Sequence, residues 1–116
     1  MEITRKGKML RDYGISLADT YFEEKRELRG AENRDMFVML SHGMGERIDS
    51  KLAEINHNFN PRESEKIIGY FADRLLEKGY LNFAYNVYQQ INSKKTKTIE
   101  RLFPQEMLEI KNPIWD

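Results

Sequence analysis

Gly79-Tyr80-Leu81-Asn82-Phe83-Ala84-Tyr85-Asn86-Val87-Tyr88-Gln89-Gln90-Ile91 is the stretch that decides the fold. At helical spacing, about 100° per residue, its apolar and aromatic residues cover roughly 200° of circumference. A helix with one face on a single core needs little more than half of that. Phe83, Val87, Tyr80, Ile91, Ala84, Tyr88, Leu81 and Tyr85 stand in order around the arc. Asn82, Asn86, Gln89 and Gln90 fill the remainder with uncharged amides. Two arrangements cover so wide an arc. Either other helices and the tail enclose it as the central core helix, or its far edge, Leu81 and Tyr85, meets a partner.

Working backward, Asn60-Pro61-Arg62-Glu63 is a helix start. Asn60 suits the cap, Pro61 the first helical position, and Glu63 completes a capping box three residues on. Ile67, Ile68, Phe71, Ala72, Leu75 and Leu76 give this helix its buried face, and Gly79 ends it. The two helices therefore form a tight hairpin. Around that hairpin, Gly79, Ala84, Tyr88 and Ile91 resemble the glycine, alanine, aromatic and apolar positions at the second helix of a tetratricopeptide unit. The resemblance covers about a fifth of the chain, without a repeat, and implies a shared packing solution instead of membership.

Two further helices precede the hairpin. The first is expected over about residues 4–28, with Met9, Tyr13, Leu17, Tyr21 and Leu28 as its stripe and Gly30 at its end. Gly14 is its weak point, costing up to ~1 kcal/mol relative to alanine. The second is expected over about 34–58, where Met36, Leu40, Met44, Ile48, Leu52, Ile55 and Phe59 keep an i+4/i+3 rhythm. Gly43 and Gly45 mark a kink or a close approach, and 35–40 also reads as a short buried strand. After Asn92 the composition turns polar and basic. Ser93–Thr98 reads as a loop, and 99–110 as short helical turns. Trp115 near the end would forgo roughly 2 kcal/mol or more if left in water, so the tail is expected to dock. The fold is thus an all-α compact bundle of four main helices, about 4–28, 34–58, 61–78 and 81–92. In domain terms, 1–92 is the bundle and 93–116 a basic loop with a docking tail.

Composition narrows the function. The chain of 116 residues carries nineteen basic and nineteen acidic side chains, two histidines and no cysteine. Disulfides, thiolate metal sites and cysteine nucleophiles are excluded. The first residues have no apolar run behind their charges, and no apolar stretch approaches the ~20 residues of a membrane span. A cytoplasmic location, in a cell or a host cell, is expected, with no membrane contact. Charge is nevertheless uneven. Residues 1–11 hold Arg5, Lys6, Lys8 and Arg11 against Glu2, and residues 93–101 hold Lys94, Lys95, Lys97 and Arg101 against Glu100. If these segments meet in the fold, they make a basic patch.

Signatures of catalysis are absent from the sequence. His42, Glu46 and Asp49 fall on one helical face and are the candidate metal ligands, but they lack the second histidine of the zinc-protease motif. Glu54 and His57 match one Glu-x-x-His element of di-iron bundles without its second copy. No phosphate loop follows Gly43-Met44-Gly45, and no serine has a nucleophile-elbow context. The expected function is a non-enzymatic protein–protein interaction factor without cofactor, accessory, regulatory or inhibitory, of a kind that phages and mobile elements encode. It would self-associate or bind a protein partner through Leu81, Tyr85, Tyr88 and Trp115. The alternative is a small nucleic-acid-binding regulator using Arg5, Lys6, Lys8, Arg11, Lys94, Lys95 and Lys97 to track phosphates, with exposed tyrosines stacking on bases.

Overall fold

The computed structural model describes residues 5–22 and 34–104, with side chains for 5–22 and 43–104. It is all-α. Five helices follow in order among the described residues: α1 (Arg5–Tyr21), α2 (Arg34–Asn58), α3 (Pro61–Glu77), α4 (Leu81–Gln90) and α5 (Lys95–Leu102). Three of the four expected main helices fall within two residues of their expected bounds. The fourth, α1, starts as expected but ends at Tyr21, short of the expected 28, with Phe22 already outside the helix; the expected stop at Leu28 and Gly30 lies outside the described residues. The stretch 35–40 is helical, as part of α2, and Gly43 and Gly45 do not interrupt that helix.

α3 is the hub, with α1, α2 and α4 all packed on it. Its core residues Ile67, Phe71, Ala72 and Leu75 are fully buried. The predicted capping box is present: the Asn60 side chain accepts from the Glu63 N–H at 2.8 Å, and Glu63 accepts from the Asn60 N–H. The buried Ser64 hydroxyl lies within 3.3 Å of the carbonyl oxygens of Ile55 and Phe59. It thus stitches the start of α3 to the end of α2, and no buried donor is left without an acceptor there.

The packing of α1 follows the expected stripe at Tyr13 and Leu17, which lie on the core, and departs from it at the ends. Leu10, Gly14, Leu17 and Ala18 are buried, whereas Met9 is 66% exposed and Tyr21 44% exposed. Gly14 explains the departure. A Cβ added there would sit 2.6 Å from the Ile67 carbonyl oxygen and 3.2 Å from the Phe71 nitrogen. The backbones of α1 and α3 meet at this point, so the helix turns its smallest residue, not its largest, toward the hub. α2 then holds the far end of α1: Arg47 donates to the Tyr21 carbonyl at 3.1 Å, and the Lys51 ammonium lies 3.7 Å from the centre of the Tyr21 ring.

Both turns flanking α4 are Schellman motifs. After α3, the Tyr80 N–H bonds to Leu75 O and the Gly79 N–H to Leu76 O, with Gly79 at φ 93°. After α4, the Ser93 N–H bonds to Tyr88 O and the Asn92 N–H to Gln89 O, with Asn92 at φ 51°. Both are the 6→1 and 5→2 pairs that close a helix through a left-handed residue. The second turn sends the chain back over α4. The expected loop at 93–98 is therefore replaced from Lys95 onward by α5, whose Ile99 is buried against α4.

Candidate functional site

The aromatic arc of α4 is largely consumed inside the chain. Tyr85 and Tyr88, expected at a partner surface, are 4% and 1% exposed. The Tyr85 hydroxyl donates to Glu100 on α5 at 2.5 Å, and the Tyr88 hydroxyl donates to Asp73 on α3 at 2.5 Å. Lys95 of α5 bonds to the same Asp73 carboxylate and lies over the Tyr88 ring. Leu81 is half-buried against the core. The physical reason for this correction is α5, which brings one apolar anchor and two ionic ones to the edge that the sequence left open. Trp115 lies outside the described residues.

These contacts also set the ionisation of the phenols. Burial pushes the Tyr88 hydroxyl far above its ordinary range, with the Asp73 carboxylate adding to the shift. Tyr85 is raised by its bond to Glu100 and then by burial. Asp19 shifts the other way. Burial alone would raise its carboxyl, but bonds from Arg74 at 2.7 Å and Lys78 at 3.2 Å outweigh it and hold it below the ordinary range. Burial and bonds within the fold account for each of these shifts.

The candidate metal ligands on α2 are only partly described. Glu46 and Asp49 are exposed on α2, and the His42 side chain lies outside those described. No group of three His, Cys, Asp or Glu side chains among the described residues is placed to hold a metal ion. Glu54 instead pairs with Lys51 at 3.2 Å, and His57 is exposed.

The basic segments fare differently. Lys6 on α1 and Lys94 in the α4–α5 turn lie on opposite sides of the first half of α3. Between them stand Arg62 and Lys66, which are i, i+4 neighbours on α3. One open groove is lined by Lys6, Gly7, Leu10, Asn60, Arg62, Glu63 and Lys66. A second, about 480 Å³, is lined by Arg62, Glu65, Lys66, Ile91, Asn92, Ser93 and Lys94. Arg62 and Lys66 belong to both, so the two grooves share one cationic crest.

Lys6 is ion-paired with Glu63 at 2.8 Å, and that contact holds the Glu63 carboxyl below its ordinary range. Among the described residues, Arg62, Lys66 and Lys94 make no ion pair. Lys95 is tied to Asp73, and Arg11 lies 3.6 Å from Asp12. Arg5, Lys8, Arg11 and Lys97 line neither groove.

Arg62 and Lys66 are the functional candidates that the sequence does not single out, because Glu63 and Glu65 balance them along the chain. A local signal does exist. Arg62 stands in the first turn of α3, where the positive end of the helix dipole favours acids and a cation costs a few tenths of a kcal/mol. Its position there does not serve stability. Compared with known protein families, with characterised proteins and with solved structures, the chain matches none.

Proposed function

We propose that this chain is a non-enzymatic binding protein whose working surface is the cationic crest of α3 and whose ligand is the phosphate backbone of a nucleic acid. One observation carries the reading: Lys6 and Lys94, some ninety positions apart in sequence, border the same two cations, Arg62 and Lys66, which like Lys94 make no ion pair among the described residues. Side chains without internal partners are free to replace the counterions of a phosphate chain, and the gain from releasing those counterions drives such binding. Arg62 adds a planar donor fork suited to phosphate oxygens.

Neutralising the crest tests this. Arg62→Ala with Lys66→Ala is expected to weaken binding of a fluorescein-labelled 20-nucleotide DNA at low salt by about tenfold or more, from the loss of two phosphate contacts. Both residues are exposed, and removing a cation from the first turn of α3 slightly favours the helix. Melting temperature should therefore hold or rise while affinity falls. Unchanged affinity in a folded double variant would exclude the crest as the binding surface.

A protein partner is the second reading, and it moves to a different surface. Tyr85 and Tyr88 no longer support it. Leu102 and Phe103, at the end of α5, are 61% and 37% exposed and form the adjacent pair of large apolar side chains left to solvent among the described residues. No helix among the described residues is long and apolar enough to cross a membrane.

A further inference from the structure

Next to the shared crest lies a third depression, about 290 Å³, lined by Glu65, Lys66, Gly69, Tyr70, Asp73 and Lys95. Its floor is bare at Gly69, where an added Cβ would meet, among the described residues, only Ile91 Cδ1, at 3.8 Å. Half-buried Tyr70 contributes an aromatic ring to the lining, and among the described residues its hydroxyl makes no hydrogen bond. Lys95 contributes a cation, fixed by Asp73. Lys66 lines this depression as well as both grooves, and it is the i, i+4 neighbour of Tyr70 on α3. A backbone lying on Arg62 and Lys66 is thereby brought beside an aromatic ring and a glycine floor.

We infer that this depression is a base-stacking subsite: the Tyr70 ring takes one unpaired nucleobase while Lys66 and Arg62 hold the adjoining phosphates, so that the face selects single-stranded nucleic acid. The inference rests on the phosphate reading of the crest and narrows it. Duplex readout through α3 is disfavoured by shape. A major groove about 12 Å wide admits one helix of roughly 10–12 Å diameter. Here α3 is flanked at its exposed side by Lys6 on α1 and Lys94 on the α4–α5 turn, so it cannot enter alone. Aromatic stacking needs no such entry, because every unpaired base offers a flat face.

The test is fluorescence anisotropy at low salt with a labelled oligothymidylate, a duplex of equal length, and inorganic polyphosphate as a competitor without bases. Tyr70→Leu is expected to lose about tenfold in oligothymidylate affinity, while Tyr70→Phe keeps the ring and stays within about twofold. Polyphosphate should bind all three proteins equally, which also reports that the crest is intact. Gly69→Leu, whose Cβ has ordinary van der Waals room beside Ile91, is expected to occupy the depression and give the same selective loss, which keeps the test valid if Tyr70→Leu unfolds. If Gly69→Leu and a folded Tyr70→Leu bind oligothymidylate as well as wild type, or if duplex is preferred while polyphosphate still binds, the subsite is wrong and the phosphate reading survives. If polyphosphate and both DNAs fail to bind wild type, the phosphate reading itself falls, and the subsite with it.

Discussion

Gly14→Ala is expected to destabilise the protein by about 1–3 kcal/mol, against the intrinsic preference of alanine for helix. In an exposed helix the same change gains up to ~1 kcal/mol. Here the added methyl would meet the Ile67 carbonyl oxygen at 2.6 Å and the Phe71 nitrogen at 3.2 Å. Both are backbone atoms of the hub helix and cannot rotate aside. α1 must move outward, opening the contacts of Leu10, Leu17 and Ala18, and overpacking of this kind costs about 1–3 kcal/mol. Gly14→Leu should cost about 4 kcal/mol or more, a large share of the 5–15 kcal/mol that holds a typical domain together. Gly43 supplies the control. It is helical and exposed, with nothing among the described residues within 4 Å of an added Cβ. Gly43→Ala should therefore stabilise by about 0.5–1 kcal/mol. Urea unfolding followed by circular dichroism distinguishes the two signs; a stabilised Gly14→Ala would mean that α1 does not rest on α3 at this point.

Tyr88→Ala is the second large loss, about 3–5 kcal/mol, because it empties a fully buried aromatic site between α3, α4 and α5. Tyr88→Phe keeps the volume and removes only the bond to Asp73, at a cost of about 1–2 kcal/mol, since Asp73 retains Lys95. The pH response separates these contributions. A phenol whose folded ionisation lies above its unfolded value of about 10 stabilises the fold fully below that pH and loses this contribution as pH rises. Tyr88 shifts far upward and Tyr85 shifts the same way. Unfolding free energy should therefore fall from about pH 10 upward, by about 1.4 kcal/mol per pH unit for Tyr88 once above that value. In Tyr88→Phe the fall should be shallower. Parallel alkaline profiles for the two proteins would contradict the buried, bonded state of Tyr88.

How much of this was legible in the sequence depends on what kind of residue held the information. The capping box at Asn60 and Glu63, the glycine turn at Gly79 and the Ile48, Leu52, Ile55 stripe are local patterns, and each appears where spacing places it. The breadth of the α4 arc was also a sound signal, since α4 is covered by both α3 and α5. What covers its edge was not legible. Lys95-Thr96-Lys97-Thr98-Ile99-Glu100-Arg101-Leu102 has one buried apolar residue, and its docking depends on Glu100 and Lys95 finding Tyr85 and Asp73.

The α1 stripe was wrong at Met9 and Tyr21 for a related reason. Hydrophobic spacing favours large residues such as Met9 and Tyr21, whereas the close approach of two backbones selects Gly14 and Ala18, whose importance lies in what they lack. The candidate site was half visible. Lys6 and Lys94 stood out as members of basic segments. Arg62 and Lys66, which join them, are compensated by neighbouring glutamates in sequence, and their convergence exists only in three dimensions.

The most direct measurement for the central claim is the salt dependence of binding between the wild-type protein and a labelled single-stranded DNA. Occupancy of the crest by phosphate, with two to four cations releasing counterions, predicts a log–log slope of about −1.5 to −3, at ~0.7 per contact. Arg62→Ala with Lys66→Ala should reduce its magnitude by about 1.4. Measurable binding with a slope near zero, or no binding at low salt, would contradict the assignment of this face to nucleic acid.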